Sequence, residues 1–228
     1  NAYLQNKSPE EIYRRYDGNH YYWDMGNSLS RTKTAAFTFK YLNEFLKLDA
    51  SASYYLINNY LYFGSSPSVA EAIVPMQHTG DISLLQIKAG KRLDAGSFHA
   101  NLYGVFQKTD YQDVLRTPDL YLFASIYKDQ TFFKYLKTQL GFDVFYNSTY
   151  LAKSYSPAAS QFYNGAPVTF SSKPRADAWV KVGLRRANLF VKYEYVNQGL
   201  FSNGYYTVNR YPMPDKLLIL GFTWNFYD

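Results

Sequence analysis

Apolar and polar side chains alternate along this chain with a period of two. In residues 98–107, Phe98, Ala100, Leu102, Gly104 and Phe106 share one side, and His99, Asn101, Tyr103, Val105 and Gln107 share the other. Residues 136–147 repeat the pattern, with Leu136, Thr138, Leu140, Phe142, Val144 and Tyr146 opposing Lys137, Gln139, Gly141, Asp143, Phe145 and Asn147. Segments 177–185, 188–196 and 218–226 do the same. Successive side chains of an extended strand point to opposite faces, so each segment predicts a strand with one apolar and one polar face. Residues 34–41 and 48–56 alternate with less contrast, and 81–91 and 120–128 are β-rich with ambiguous facing. The result is about nine strands of ~10–15 residues, against the ~5–6 usual in soluble sheets. Tilted strands of ~9–11 residues cross the hydrocarbon of a bilayer.

The links between strands alternate in length. Short ones fall near 43–47, 90–96, 128–131 and 186–188, and long ones near 64–80, 109–118, 148–174 and 198–215. Up-and-down membrane barrels join short periplasmic turns to longer external loops in this way, whereas Greek-key sandwiches have no reason to keep the rhythm. The expected fold is all-β: an antiparallel up-and-down transmembrane β-barrel, with nine to ten strands here as part of a larger barrel. Residues 1–228 read as one domain, 1–29 being an external loop and 30–228 the strands. Ser8-Pro9-Glu10-Glu11 predicts a short helix through Arg15 in that loop, with Ser8 capping and Pro9 at the first helical position. An odd count of strands places one or more of them before Asn1, whereas a strand hidden in 21–25 restores an even number.

Composition narrows the class. Of 228 residues, 20% are aromatic (25 Tyr, 17 Phe, 3 Trp) and 18% are charged, below the roughly 25% charge of soluble domains. No apolar run approaches the ~18 residues of a membrane-spanning helix, which excludes a helical membrane protein. The absence of cysteine excludes disulfides, thiolate metal sites and a cysteine nucleophile. The formal charge of +6 is scattered, without a basic block, so nucleic acid is not an expected partner. His20, His78 and His99 lack metal-ligand spacing, and no phosphate-cradling glycine loop is present. Neither cofactor nor catalytic residue is predicted.

Three sets of residues carry the functional expectations. Lys40, Asp49, Lys137, Asp143, Lys181, Arg185, Lys192 and Glu194 occupy polar faces. In a barrel that face is the lumen, because a charge facing lipid at mid-bilayer costs about 2–4 kcal/mol. Basic residues outnumber acidic ones in the set, so the lumen favours anions unless cross-strand pairs neutralise and plug it. Tyr60, Tyr62, Tyr146, Tyr193 and Tyr195 lie near strand ends, where an aromatic belt places amphipathic rings. Tyrosine-rich loops such as Tyr21-Tyr22-Trp23 and Tyr205-Tyr206 leave sugar stacking as an alternative. Finally, Gly221, Trp224 and Phe226 in the terminal strand resemble the signal by which barrel-assembly machinery recognises outer-membrane proteins.

Further motifs are Asn19-His20 with Trp23, Leu115-Arg116-Thr117-Pro118-Asp119, Gly141-Phe142-Asp143-Val144-Phe145-Tyr146, and Tyr155-Ser156-Pro157 followed by Phe162-Tyr163. Tyr193-Glu194-Tyr195-Val196-Asn197-Gln198-Gly199 and Tyr211-Pro212-Met213-Pro214-Asp215 lead into the last strand. In order and spacing these resemble the C-terminal part of the putative porin family of Bacteroidetes outer membranes. The resemblance implies a transmembrane β-barrel with pore activity, usually longer than this chain, and no catalytic residues. The expected function is passive diffusion of small hydrophilic solutes across the bacterial outer membrane. A non-conducting scaffold subunit of a larger outer-membrane complex and an extracellular glycan-binding β-protein stand as alternatives. Expected partners are outer-membrane lipid and lipopolysaccharide, the barrel-assembly machinery through the C-terminal strand, and other outer-membrane subunits.

Overall fold

The computed structural model describes residues 1–66, 72–184, 186–224 and 226. Ten strands form its main sheet: β1 (Ala2–Lys7), β2 (Thr32–Asn43), β3 (Leu48–Ser65), β4 (Ile73–Ala95), β5 (Phe98–Thr109), β6 (Leu120–Phe132), β7 (Leu136–Asn147), β8 (Arg175–Gly183), β9 (Ala187–Glu194) and β10 (Leu217–Trp224). Each pairs antiparallel with the next in chain order, and β1 and β10 are the free edges of an open meander.

Register holds the two faces apart. On one side Leu102, Ala124, Val144 and Ala176 stand opposite one another across four strands, as do Tyr193 and Leu218 near the end of the sheet. On the other side Asn101, Ser125, Asp143 and Asp177 form the matching row. A slip of one residue would turn a whole strand inside out, so the common oily side fixes the register. That oily side is uncovered: Phe142 is 57% and Leu220 69% exposed. The remaining sheets are two-stranded ribbons within the long connections.

The buried core cluster therefore lies at the long-loop end of the sheet. Trp23, Phe63, Ile73 and Ala159 form a cluster surrounded by Ile12, Tyr13, Tyr16, Tyr21, Met25 and Tyr163. These residues come from the long-loop ends of the strands and from the connections themselves. Tyr13 stacks on Phe63 with centroids 4.6 Å apart, and Tyr16 on Trp23 at 4.7 Å. The Trp23 indole N–H donates to the carbonyl of Ile12 (2.9 Å), and the Tyr16 hydroxyl donates to that of Ala158 (3.0 Å).

Several expectations need correction. Residues 2–7 are not loop; they pair with β2 through Ala2 opposite Phe37 and Lys7 opposite Thr32. The even strand number comes from β1. The segment at 21–25 holds only a short strand, Tyr22–Asp24, which pairs with Arg15–Asp17 outside the main sheet. The expected helix is present as α1 (Glu11–Arg14), but its N-cap is Glu10 without a side-chain cap, so Ser8 does not cap it. β3 and β4 run far past their expected limits, leaving only residues 66–72 between them. A register shift at Asn59, in the left-handed region at φ 55°, allows this hairpin to bend. The short turn expected at 90–96 is instead at Gly96 (φ 62°) and Ser97, and that at 128–131 lies at 133–135, where Phe133 and Lys134 have positive φ.

Candidate functional site on the polar face

The strand pairing assigns Lys40, Asp49, Lys137, Asp143, Lys181, Lys192 and Glu194 to the polar face, while Arg185 lies outside the described residues. Their surroundings differ. Lys40, Lys137, Lys181 and Asp49 are exposed and, among the described residues, join no ion pair. Asp143 accepts two hydrogen bonds on one oxygen, from the Ser125 hydroxyl (2.6 Å) and the Trp179 indole N–H (2.9 Å). Lys192 sits 3.2 Å from Glu194 and 2.8 Å from Asp177.

Asp177 is the hub that the sequence reading missed. It is fully buried (0% exposed) and flanked along β8 by Ala176 and Ala178. The backbone N–H of Tyr195 donates to its Oδ1 (2.9 Å), and Arg175 Nε approaches the same oxygen at 3.7 Å. A carboxyl group removed from water requires such partners. Arg175 also covers the Phe145 ring (4.5 Å to the centroid) and donates to the Tyr205 hydroxyl (2.5 Å), so one guanidinium ties the wall to a loop. Phe123 and Phe145 pair at 5.0 Å, and Lys181 lies 4.7 Å above the Trp179 ring.

Two hollows result. A groove of about 400 Å³ lies between Phe123, Asp143, Trp179, Lys181, Phe190 and Lys192. Above it, a cavity of about 430 Å³ is bounded by Tyr121, Phe145 and Arg175 of the wall and by Phe170, Lys173 and Tyr205 of the loops. Gly141 makes room for the Trp179 ring: a Cβ there would fall 2.4 Å from that ring and 2.8 Å from Tyr127.

His99 contacts Asp94 through Nδ1 and lies 3.1 Å from Asp129 Oδ2 through Nε2, with Tyr127 stacked at 4.9 Å. It is engaged between two carboxylates.

The belt tyrosines separate into groups. Tyr146 and Tyr193 stand on the oily face near the long-loop ends of β7 and β9. Tyr60 and Tyr62 stack on each other (6.3 Å) beyond the bulge at Asn59. Tyr195 does not fit a belt: it is 4% exposed, has φ 53°, and donates its hydroxyl to the carbonyl of Ser202 (3.1 Å). The terminal motif divides between faces as well. Trp224 extends the oily row and is half-exposed, Phe226 follows the strand as an exposed ring, and Gly221 faces the polar side beneath Phe190.

The long connections are bound together by Arg116. Its guanidinium, 9% exposed, donates to the carbonyls of Ala152 (2.8 Å), Gly165 (2.9 Å) and Ala166 (3.3 Å), and Asn164 donates to those of Asp113 and Val114. Desolvation lowers the pKa of Arg116, opposed by the nearby Asp113 carboxylate. Lys153 is also lowered, by burial first and by Arg116 second. Nothing in the local sequence signals contacts reaching 36 to 50 residues away.

Solved structures share this fold. The FrpB iron transporter from Neisseria meningitidis aligns with 84% of this chain and 31% of its own, at a TM-score of 0.54 and 14% identity. The pyoverdine outer-membrane receptor FpvA from Pseudomonas aeruginosa PAO1 aligns over 99% and 33%, with a TM-score of 0.58 and 13% identity. The ferric enterobactin receptor PfeA from Pseudomonas aeruginosa does so over 98% and 37%, with a TM-score of 0.62 and 12% identity. This chain thus spans about a third of the length of those proteins. No curated protein matches it in sequence. The model of the putative porin family matches residues 1–228, the whole chain, and the chain belongs to that family of outer-membrane β-barrel proteins.

Proposed function

We propose that this chain forms part of the wall of a passive outer-membrane pore, with its polar face lining a lumen that favours small hydrophilic anions. One observation carries the reading: the carboxylates Asp143 and Asp177 are engaged, whereas Lys40, Lys137 and Lys181 remain exposed on the same face, with Asp49 as the exposed acid beside them. Of the named charges on this face, three exposed ammonium groups then stand against the exposed carboxylate of Asp49, and that excess attracts anions. Transport then proceeds by size exclusion and electrostatic bias, without covalent chemistry, and the cross-linked loops narrow the mouth. The oily face meets lipid, and lipopolysaccharide lies against its outer rim. The C-terminal strand, with Gly221, Trp224 and Phe226, is the element offered to the assembly machinery; the exposed edges β1 and β10 meet further strands or other outer-membrane subunits.

The test is conductance of the full-length protein in planar bilayers under a KCl gradient. A reversal potential showing chloride preference, reduced by Lys181→Gln combined with Lys137→Gln, is the expected result. Cation preference overturns the selectivity, and absence of conductance favours a scaffold.

A further inference from the structure

The polar face carries more aromatic surface than a simple conduit needs. Phe190 is 41% exposed there, Trp179 and Phe123 line the same groove, and Phe145 pairs with Phe123. The two hollows adjoin through the Phe123–Phe145 pair, whose rings belong one to each. Cations alternate with these rings from the loops inward: Arg175 lies 5.2 Å from the Tyr205 ring and 4.5 Å from Phe145, Lys192 is 6.0 Å from Phe145, and Lys181 is 4.7 Å from Trp179.

From this track we infer a binding site for acidic saccharides, meaning sugars that carry carboxylate groups. The inference rests on the lumen assignment proposed above. Three features select that class. Ring faces stack on the apolar C–H faces of pyranoses. Hydroxyl and amide groups interleave with the rings and suit sugar hydroxyls: Asn147 and Ser172 in the upper cavity, Asn101 and Ser125 in the lower groove. Lys173, Arg175 and Lys181 supply positive charge, while the acids of the site are held by its own donors, which disfavours cationic ligands. Each hollow, at about 400–430 Å³, falls within the size range of small-molecule sites. A linear acidic oligosaccharide would occupy both, with a sugar against the exposed Phe190 ring and its carboxylates beside Arg175 and Lys181.

Isothermal titration of the full-length protein in detergent with trigalacturonate, maltotriose and citrate tests the site whether or not the pore conducts, so its outcome is separate from the bilayer measurement. Trigalacturonate should bind at least tenfold more tightly than either comparator. Lys181→Gln, at an exposed side chain, should weaken it about fivefold to tenfold, and Trp179→Phe should weaken maltotriose and trigalacturonate alike. Heat-modifiable gel mobility verifies that each variant has folded. Equal affinity for maltotriose removes the acidic preference, equal affinity for citrate removes the saccharide, and absence of trigalacturonate binding overturns the site.

Discussion

The ring of Phe190 lies over Gly221, its neighbour across the last hairpin. A Cβ added at Gly221 would come within 1.8 Å of Phe190 Cε1, so the glycine holds a slot for that ring. A glycine otherwise weakens a strand, and a cross-strand aromatic ring compensates by covering it.

Gly221→Ala should destabilise the folded barrel by about 1–3 kcal/mol, the usual range for overpacking. The Phe190→Ala background should remove most of that loss. Urea unfolding followed by tryptophan fluorescence measures the double-mutant cycle, and additive effects would separate the glycine from the ring.

A charge distinguishes the two faces. Ile126 is on the oily side and 52% exposed; Tyr103 is on the polar side and 41% exposed. Ile126→Lys should cost about 2–4 kcal/mol if it faces mid-bilayer lipid. Tyr103→Lys should change stability little. Refolding yield into lipid vesicles compares the two, and equal tolerance would end the assignment of the oily side to lipid.

Arg116→Ala should loosen the loops and spare the wall. Removing the guanidinium leaves the carbonyls of Ala152 and Gly165 short of their donor, at about 1–3 kcal/mol for each buried group left unsatisfied. Proteolysis within 148–174 should accelerate, while amides of β5 to β7 keep their protection from hydrogen exchange. Arg116→Lys should restore only part of the order, because an ammonium cannot reach three carbonyls in one plane.

Acid should release the start of the 110–119 loop. At Asp110 partial burial pushes the pKa up, but the Ser83 hydroxyl and amide, donating at 2.7 Å and 3.0 Å, outweigh it, and the net shift is downward from 3.8. A carboxylate lowered in the folded state contributes stability above its unfolded pKa and loses it as pH falls through the lowered value. Protection of the Ser83 amide, relative to its intrinsic exchange rate at each pH, should therefore fall below about pH 4, and Asp110→Asn should flatten that dependence. An unchanged profile in the variant would assign the effect to another group.

Lys153 gives a pH slope of the same sign in the alkaline range, although here the charged form is the disfavoured one. Its folded pKa lies below 10.5, so the charged form opposes folding and stability rises with pH through the window beneath 10.5. Lys153→Met should slow proteolysis of the loops at neutral pH.

Much of the wall was legible because lipid on one side and water on the other impose a strict period of two. Residues 136–147 show it without interruption, and β7 has those limits. The reading weakened in β4, where Ile82 is fully buried on the polar side, and Lys91 stands on the oily side where its ammonium reaches the carbonyl of Leu46. There, the loops and the short turns set the environment in place of lipid. β1 escaped notice because six residues give too short a run for periodicity to stand out. The polar-face charges could be placed from alternation alone, but Asp177 could not be picked out as their centre. Its role depends on the left-handed turn at Tyr195 and on Lys192 from the next strand.

The cluster of Trp23, Phe63, Ile73 and Ala159 joins pieces of chain more than 130 residues apart, outside the oily band. It is built like the core of a small globular domain, set on the end of the barrel wall. A crown assembled from fragments so far apart in sequence is expected to close after the hairpins beneath it have paired. Heat or added protease is therefore expected to undo the crown while the sheet beneath it stays paired.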